Sequence, residues 1–281
     1  MINGEPGPSP EAVPAQRGGT APYRACIVIP YYRHEGAIAG TIERLKPSGL
    51  NCWIVDDGSG ESSREVLQEI ARSEARWVRL CSHALNRGKG EAVMTGFAQA
   101  RAAGFTHVVQ IDADGQHDAS DVPRLLSVSR SQPDALVTGI PVFDQSVPKV
   151  RLYGRYLTHF WVWVQTLSFE IRDSMCGFRV YPLDSALAIW NEGNVGARMD
   201  FDTEIMVRMF WRGVTVLSVP TRVTYPADGV SHFRMLRDNL RLIWMHLRLL
   251  AGMCLRLPWL LLLLWRRLRL RPRPSARGQR I

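Results

Sequence analysis

The sequence predicts an α/β fold, a mostly parallel sheet with helices on both faces followed by amphipathic C-terminal helices. Three observations carry this expectation. Short apolar runs alternate with segments of helical period through the first half of the chain. Acidic and polar clusters stand directly after the predicted strands, where open α/β sheets bind their ligands. Beyond Pro148 the pattern changes to long apolar-rich helices and ends in arginines.

Taken in order, Ala25 to Pro30 reads as a buried strand and Ala37 to Leu45 as a helix. Cys52 to Val55 is the second strand, and Ser62 or Ser63 caps a helix running through Ile70. Trp77 to Cys81 predicts a third strand, Glu91 to Ala103 a helix, and His107 to Ile111 a fourth strand ending in Asp112-Ala113-Asp114-Gly115. Asp121 to Ser129 is helical and Ala135 to Thr138 is a fifth strand. Tyr153 to Phe169 follows as a long helix, Arg172 to Pro182 as a polar loop, Asp200 to Trp211 as a helix and Val214 to Val219 as a strand. Met235 to Met253 has the spacing of an amphipathic helix, with Arg237, Arg241 and Arg248 between its apolar positions.

With 46% hydrophobic and 22% charged residues, the chain has the composition of a globular protein. Its formal charge of +9 comes almost wholly from arginine, since Lys46, Lys89 and Lys149 are the only lysines. Arg266, Arg267, Arg269, Arg271, Arg273, Arg277 and Arg280 follow the apolar run Leu257 to Trp265. That pairing points to an anionic membrane surface rather than to nucleic acid. Leu249 to Trp265 is short for a span and is interrupted by Arg256 and Pro258, so an in-plane segment anchored by Trp259 and Trp265 is expected. A helix packed on the domain, or on a second copy to give a homo-oligomer, is the alternative. Five scattered cysteines predict no disulfide, and the Gly/Pro-rich leader lacks a secretory apolar core. The expected location is the cytoplasmic side of the inner membrane.

Asp112 and Asp114 end a predicted strand two residues apart, in reach of one ion, and Gln116 can add a neutral oxygen. An oxygen-rich set of this kind suits Mg²⁺ or Mn²⁺ bridging to a diphosphate; a solvated turn is the other reading. Asp57 suits acceptance of base N–H groups or a turn beside Gly58. Gly88 and Gly90 would let backbone approach a phosphate at a helix start, with Lys89 supplying charge, or the stretch is an ordinary loop. Arg179 suits a phosphate clamp or an ion pair with Asp173. Asp202 and Glu204 either line the site or serve the helix dipole.

The motifs Ile27-Val28-Ile29-Pro30-Tyr31-Tyr32, Val55-Asp56-Asp57-Gly58-Ser59, Asn86-Arg87-Gly88-Lys89-Gly90, Asp112-Ala113-Asp114-Gly115-Gln116 and Cys176-Gly177-Phe178-Arg179 occur in this order. Together the chain resembles the family 2 glycosyltransferases, in particular the dolichyl-phosphate mannose synthase and polyprenyl-phosphate glycosyltransferase branch. The resemblance covers about residues 25 to 230. It implies an A-type glycosyltransferase fold and inverting transfer from a nucleotide-diphosphate sugar to a lipid or lipid-phosphate acceptor. It further implies that Pro30, Tyr32 and Asp57 hold the nucleotide, Lys89 lies near the diphosphate or base, and Asp112 near the ribose and metal. Asp114 and Gln116 would complete the metal site, with Arg179 and Asp202 in the catalytic set. The sequence departs from the family where a glutamate is usual, since Arg33 and His34 precede Glu35; either Glu35 replaces it or the base is read without it. The expected organisation is a disordered leader over 1–22, the catalytic domain over 23–232, a helical tail over 233–270 and a basic disordered end over 271–281. A noncatalytic membrane adaptor with a degenerate nucleotide pocket is the rival, as is a transferase acting on a soluble hydroxyl.

Overall fold

The structure is a computed structural model and describes residues 22–143, 149–224 and 234–270. The leader, the basic end and its arginines from Arg271 onward therefore lie outside the described residues. Seven strands form one sheet in the order β3-β2-β1-β4-β6-β5-β7. They are β1 (Ala25–Tyr31), β2 (Cys52–Asp56), β3 (Val78–Ser82), β4 (His107–Gln110), β5 (Leu136–Phe143), β6 (Arg179–Pro182) and β7 (Val216–Val223). β6 alone runs against its neighbours, β4 and β5. The chain steps outward from β1 through β2 to β3, then returns to place β4 on the other side of β1. Strand order reverses between β1 and β4, so their carboxyl ends open a crevice.

Side-chain alternation divides the core into two layers. Cys26 and Val28 of β1 face one way, under α3 (Lys89–Ala102), α6 (Leu183–Trp190) and α7 (Phe201–Trp211), while Ile27, Ile29 and Tyr31 face α1 (Glu35–Leu45), α2 (Glu61–Ser73) and α4 (Val122–Ser131). Full burial of each such aliphatic side chain contributes roughly 1.5–3 kcal/mol. Gly96 lets α3 sit directly on the sheet, since a Cβ there would lie 2.4 Å from Val28 Cγ1.

Three expectations change. Residues 172–182 are not all loop, because Arg179–Pro182 forms the fully buried β6 that joins the two halves of the sheet. α2 begins at Glu61 after Gly60 (φ 107°), so neither Ser62 nor Ser63 caps it. Ser63 lies inside the helix, buried, accepting from Tyr31 Oη at 3.1 Å and donating to the Glu35 carboxylate. Finally, the tail is one helix, α8 (Met235–Leu270), which continues through Arg256 and Pro258. Its Met235–Leu262 stretch is long and apolar enough to cross a membrane by length and composition.

α8 is fastened to the domain. Met245, Leu249 and Leu260 are buried against it, and Arg248 donates at 2.8 Å to Glu204 of α7. Gln165 of α5 (Lys149–Thr166) meets His246, and the Trp259 indole donates to the Trp211 carbonyl.

Candidate functional site

The crevice collects side chains from the ends of β1 and β4 and from the start of α3 and α7. Lys89, the first residue of α3, places its ammonium 2.7 Å from Asp112 Oδ1 and 2.7 Å from Asp202 Oδ2. The Gln110 amide donates to the other Asp202 oxygen at 2.9 Å. Burial alone would lower the Lys89 pKa, but the two carboxylates outweigh it and hold the ammonium above its usual range. Burial would likewise raise Asp112, yet Lys89 and His117, whose Nε2 is 3.9 Å away, keep it well below the carboxylate range. At Asp114 the balance goes the other way, against the Gln116 N–H, His117 and His34. Burial, reinforced by the charge of Asp112, raises its pKa.

Gly177 explains how the Cys-Gly-Phe-Arg segment reaches this crevice. A Cβ there would stand 2.5 Å from Asp112 Oδ2, so only glycine allows the segment to close over the carboxylate. Gln116 folds back so that its backbone N–H donates to Asp114 Oδ1 at 3.0 Å. Pro30 is buried at the end of β1 and Tyr32 is half-buried at the rim, with the Arg33 guanidinium 5.1 Å from the Tyr32 ring.

Among the described residues no three His, Cys, Asp or Glu side chains are gathered to hold a metal ion. The donor set nonetheless fits a divalent cation that draws its remaining ligands from a diphosphate and water. The charge of Asp112 raises the proton affinity of Asp114 at the crevice, and among the described residues the buried Nδ1 of His117 has no hydrogen-bond partner.

Several residues singled out from the sequence do other work here. Asp57 is buried and its carboxylate accepts from His83 Nδ1 (2.9 Å), Arg87 N (2.8 Å) and Gly88 N (2.7 Å), tying the turn after β2 to the Gly-Lys-Gly loop. Gly88 and Gly90 make room for the chain itself, not for an open phosphate cradle. Gly88 has φ 112°, and a Cβ there would lie 2.4 Å from Ala197 O; at Gly90 it would meet the Phe201 ring. The amides at the α3 N-terminus donate to Ala197 O, so this end is already capped. Arg179 is wholly buried and donates to Cys176 O, Ser174 O, Asp202 O and Tyr181 Oη. Its guanidinium is therefore a strut between β6 and α7 rather than an exposed phosphate clamp. Asp173 pairs with Arg155 and His159 instead of Arg179. Glu35 braces α1 to α2 through Ser63, and Glu204 sits at the α7–α8 joint, away from the crevice.

The sequence reading gave no role to His83, His117 or Arg198. His83 bridges Asp57 and Thr95, and Arg198 donates to Asn86, pinning the loop from the other side. Only His117 carried a signal, its place three residues after Asp114.

A mostly parallel seven-stranded sheet with this crevice at its switch point defines an A-type glycosyltransferase architecture. The chain belongs to glycosyl transferase family 2, whose model matches residues 26–185, and is a nucleotide-sugar-dependent transferase. It is 25% identical over 232 residues to a polyprenol monophosphomannose synthase of Mycolicibacterium smegmatis, covering 78% of this chain and 83% of that one. It is 23% identical over 215 residues to the UDP-N-acetylglucosamine–dolichyl-phosphate N-acetylglucosaminyltransferase of Methanococcus voltae, covering 71% and 85%. Its fold is similar to that of glucosyl-3-phosphoglycerate synthase from Mycobacterium tuberculosis, with a TM-score of 0.60 at 17% identity, covering 82% and 81%.

Proposed function

We propose that this protein transfers a sugar from a nucleotide-diphosphate donor to a polyprenyl phosphate or a related lipid phosphate at the cytoplasmic face of a membrane, with Mg²⁺ or Mn²⁺ at Asp112 and Asp114. The observation that carries it is the Asp112, Asp114, Lys89 and Asp202 cluster at the switch point, roofed by Gly177. The lipid acceptor is supported by the similarity to polyprenol- and dolichyl-phosphate transferases and by the apolar surface of the molecule.

A lipid phosphate oxygen attacks the anomeric carbon as the bond from that carbon to the diphosphate oxygen breaks, and the electron pair leaves with the nucleotide diphosphate. The acceptor is already an anion, so no general base is required. When bound, the cation neutralises charge on the departing diphosphate. Gln116 would add an oxygen to the cation, and Asp202, paired with Lys89, would hold that ammonium toward the donor phosphates. Pro30 and Tyr32 form the wall for the nucleotide. Asp57, Glu35 and Arg179 position the loops that shape it.

On this reading α8, held to α7 through Arg248 and to α5 through His246, lies in the plane of the interface. Tyr153, Tyr156, Leu157 and Phe160 of α5 are exposed beside it, as are Leu240, Ile243, Trp244 and Leu247 of α8. Such a surface suits lipid rather than water.

The test pairs a panel of UDP-, GDP- and dTDP-sugars with polyprenyl phosphate or soluble acceptors, in Mn²⁺ or Mg²⁺. One donor should release its nucleotide diphosphate only with the lipid acceptor, and Asp114→Asn should slow this by at least about 100-fold without loss of fold. Equal release with soluble acceptors removes the lipid reading; no turnover of any donor favours the noncatalytic adaptor.

A further inference from the structure

The molecule has a second cleft, away from the crevice, where α8 crosses the end of α7. It encloses about 570 Å³ and is lined by Glu192, Arg208, Trp211, Arg212, Leu255, Arg256, Pro258 and Trp259. Three guanidiniums meet one carboxylate there, and that carboxylate is taken, because Glu192 pairs with Arg212. Arg208 is held by Glu204 at 2.7 Å and by the Asn194 carbonyl. Arg256 differs from both. Among the described residues it has no carboxylate partner: its guanidinium stacks 5.2 Å from the Trp211 ring centroid and gives one N–H to Gly252 O at 3.1 Å. A guanidinium has five N–H groups, so its capacity to bind an anion is largely unused.

The position of Arg256 makes this costly unless an anion is supplied. It stands within the apolar Met235–Leu262 stretch, flanked by the exposed Leu255 and Leu257. A lone charge at such a place on a lipid-facing helix is unfavourable and calls for a counter-ion or a route to the headgroups. Trp259, 43% exposed, lies on the next turn with its indole N–H bound to Trp211 O, the half-wet setting that tryptophan takes at headgroup level. Gly252 keeps the cleft narrow at its base, since a Cβ there would lie 3.0 Å from the Trp211 ring.

We propose that this cleft binds the phosphate headgroup of an anionic membrane lipid, with Arg256 as its phosphate ligand and Trp259 beside its acyl–glycerol region. The site is separate from the Asp112–Asp114 crevice and serves to seat the enzyme on the membrane, not to present acceptor. It rests on the reading of α8 as an interfacial helix.

The experiment uses the full chain in non-ionic detergent, titrated with short-chain phosphatidylglycerol, short-chain phosphatidylcholine or inorganic phosphate and followed by calorimetry. Wild type should bind phosphatidylglycerol at one saturable site. Arg256→Gln should weaken this by about tenfold, with thermal midpoint unchanged, and Arg256→Lys should recover only part of it. Arg72→Gln, on the exposed surface of α2, should leave the binding as it is. The proposal is overturned if Arg256→Gln binds as wild type, if phosphatidylcholine binds equally, or if inorganic phosphate binds as tightly as the lipid. It is also overturned if lipid is excluded by dimerisation through this face. Flotation with phosphatidylcholine–phosphatidylglycerol vesicles separates the two readings. Wild type that floats while Arg256→Gln shows no titration defect removes the cleft alone; wild type that never floats removes the interfacial helix and the cleft with it.

Discussion

An ammonium 2.7 Å from both Asp112 and Asp202 neutralises two carboxylates in the crevice and stands on ground that a divalent cation needs. Under the proposed reading, Lys89 balances the two carboxylates and would exchange places with a cation to become a ligand for donor phosphate. Lys89→Met should bind Mn²⁺ about tenfold more tightly in the absence of donor, by electron paramagnetic resonance titration, and bind nucleotide diphosphate more weakly. Unchanged Mn²⁺ affinity would remove this exchange. Asp114 gives a second prediction at the same scale. Its pKa is raised by burial and by Asp112, so it keeps a proton to higher pH than an ordinary carboxyl. A cation competes with that proton. Its affinity should therefore fall as pH drops through the raised Asp114 value, with proton release on binding that calorimetry in buffers of different ionisation enthalpy detects. Cation uptake without proton release at mildly acid pH would contradict the assignment.

The alternation of strands and helices was legible in the sequence because each buried strand is a short apolar run bounded by polar turns, as in Cys52–Asp56 and His107–Gln110. β6 was not, since Arg179–Pro182 has four residues, begins with arginine and owes its burial to β4 and β5 on either side. The same limit holds in the site. Asp112, Asp114, Lys89 and Asp202 share an edge that strand order foretells, but Asp57 and Arg179 take partners distant in sequence, His83, Arg87 and Gly88 for the first and Asp202 for the second, which no local pattern encodes. Glu204 shows the consequence for the α7–α8 joint. It is fully buried and receives Arg208, Arg248 and the Gly196 amide. Glu204→Gln should cost about 2–4 kcal/mol in denaturant unfolding, because two arginines lose their shared charge while the crevice is untouched. A loss below about 0.5 kcal/mol would mean that apolar packing alone holds α8.

Across the whole molecule, the sheet puts the reacting groups at one edge while α5 and α8 spread an apolar surface along the body. α8 rises about 1.5 Å per residue, so its 36 residues extend roughly 54 Å. A donor soluble in water and an acceptor dissolved in a membrane can meet at such an enzyme only if surface and crevice open toward the same boundary. The most direct measurement of this account is ³¹P nuclear magnetic resonance of the product formed from the active sugar nucleotide and polyprenyl phosphate. The account predicts that the lipid phosphomonoester signal is replaced by that of a sugar phosphodiester as nucleotide diphosphate accumulates. Sugar found on a hydroxyl, with the lipid phosphomonoester intact, would contradict it.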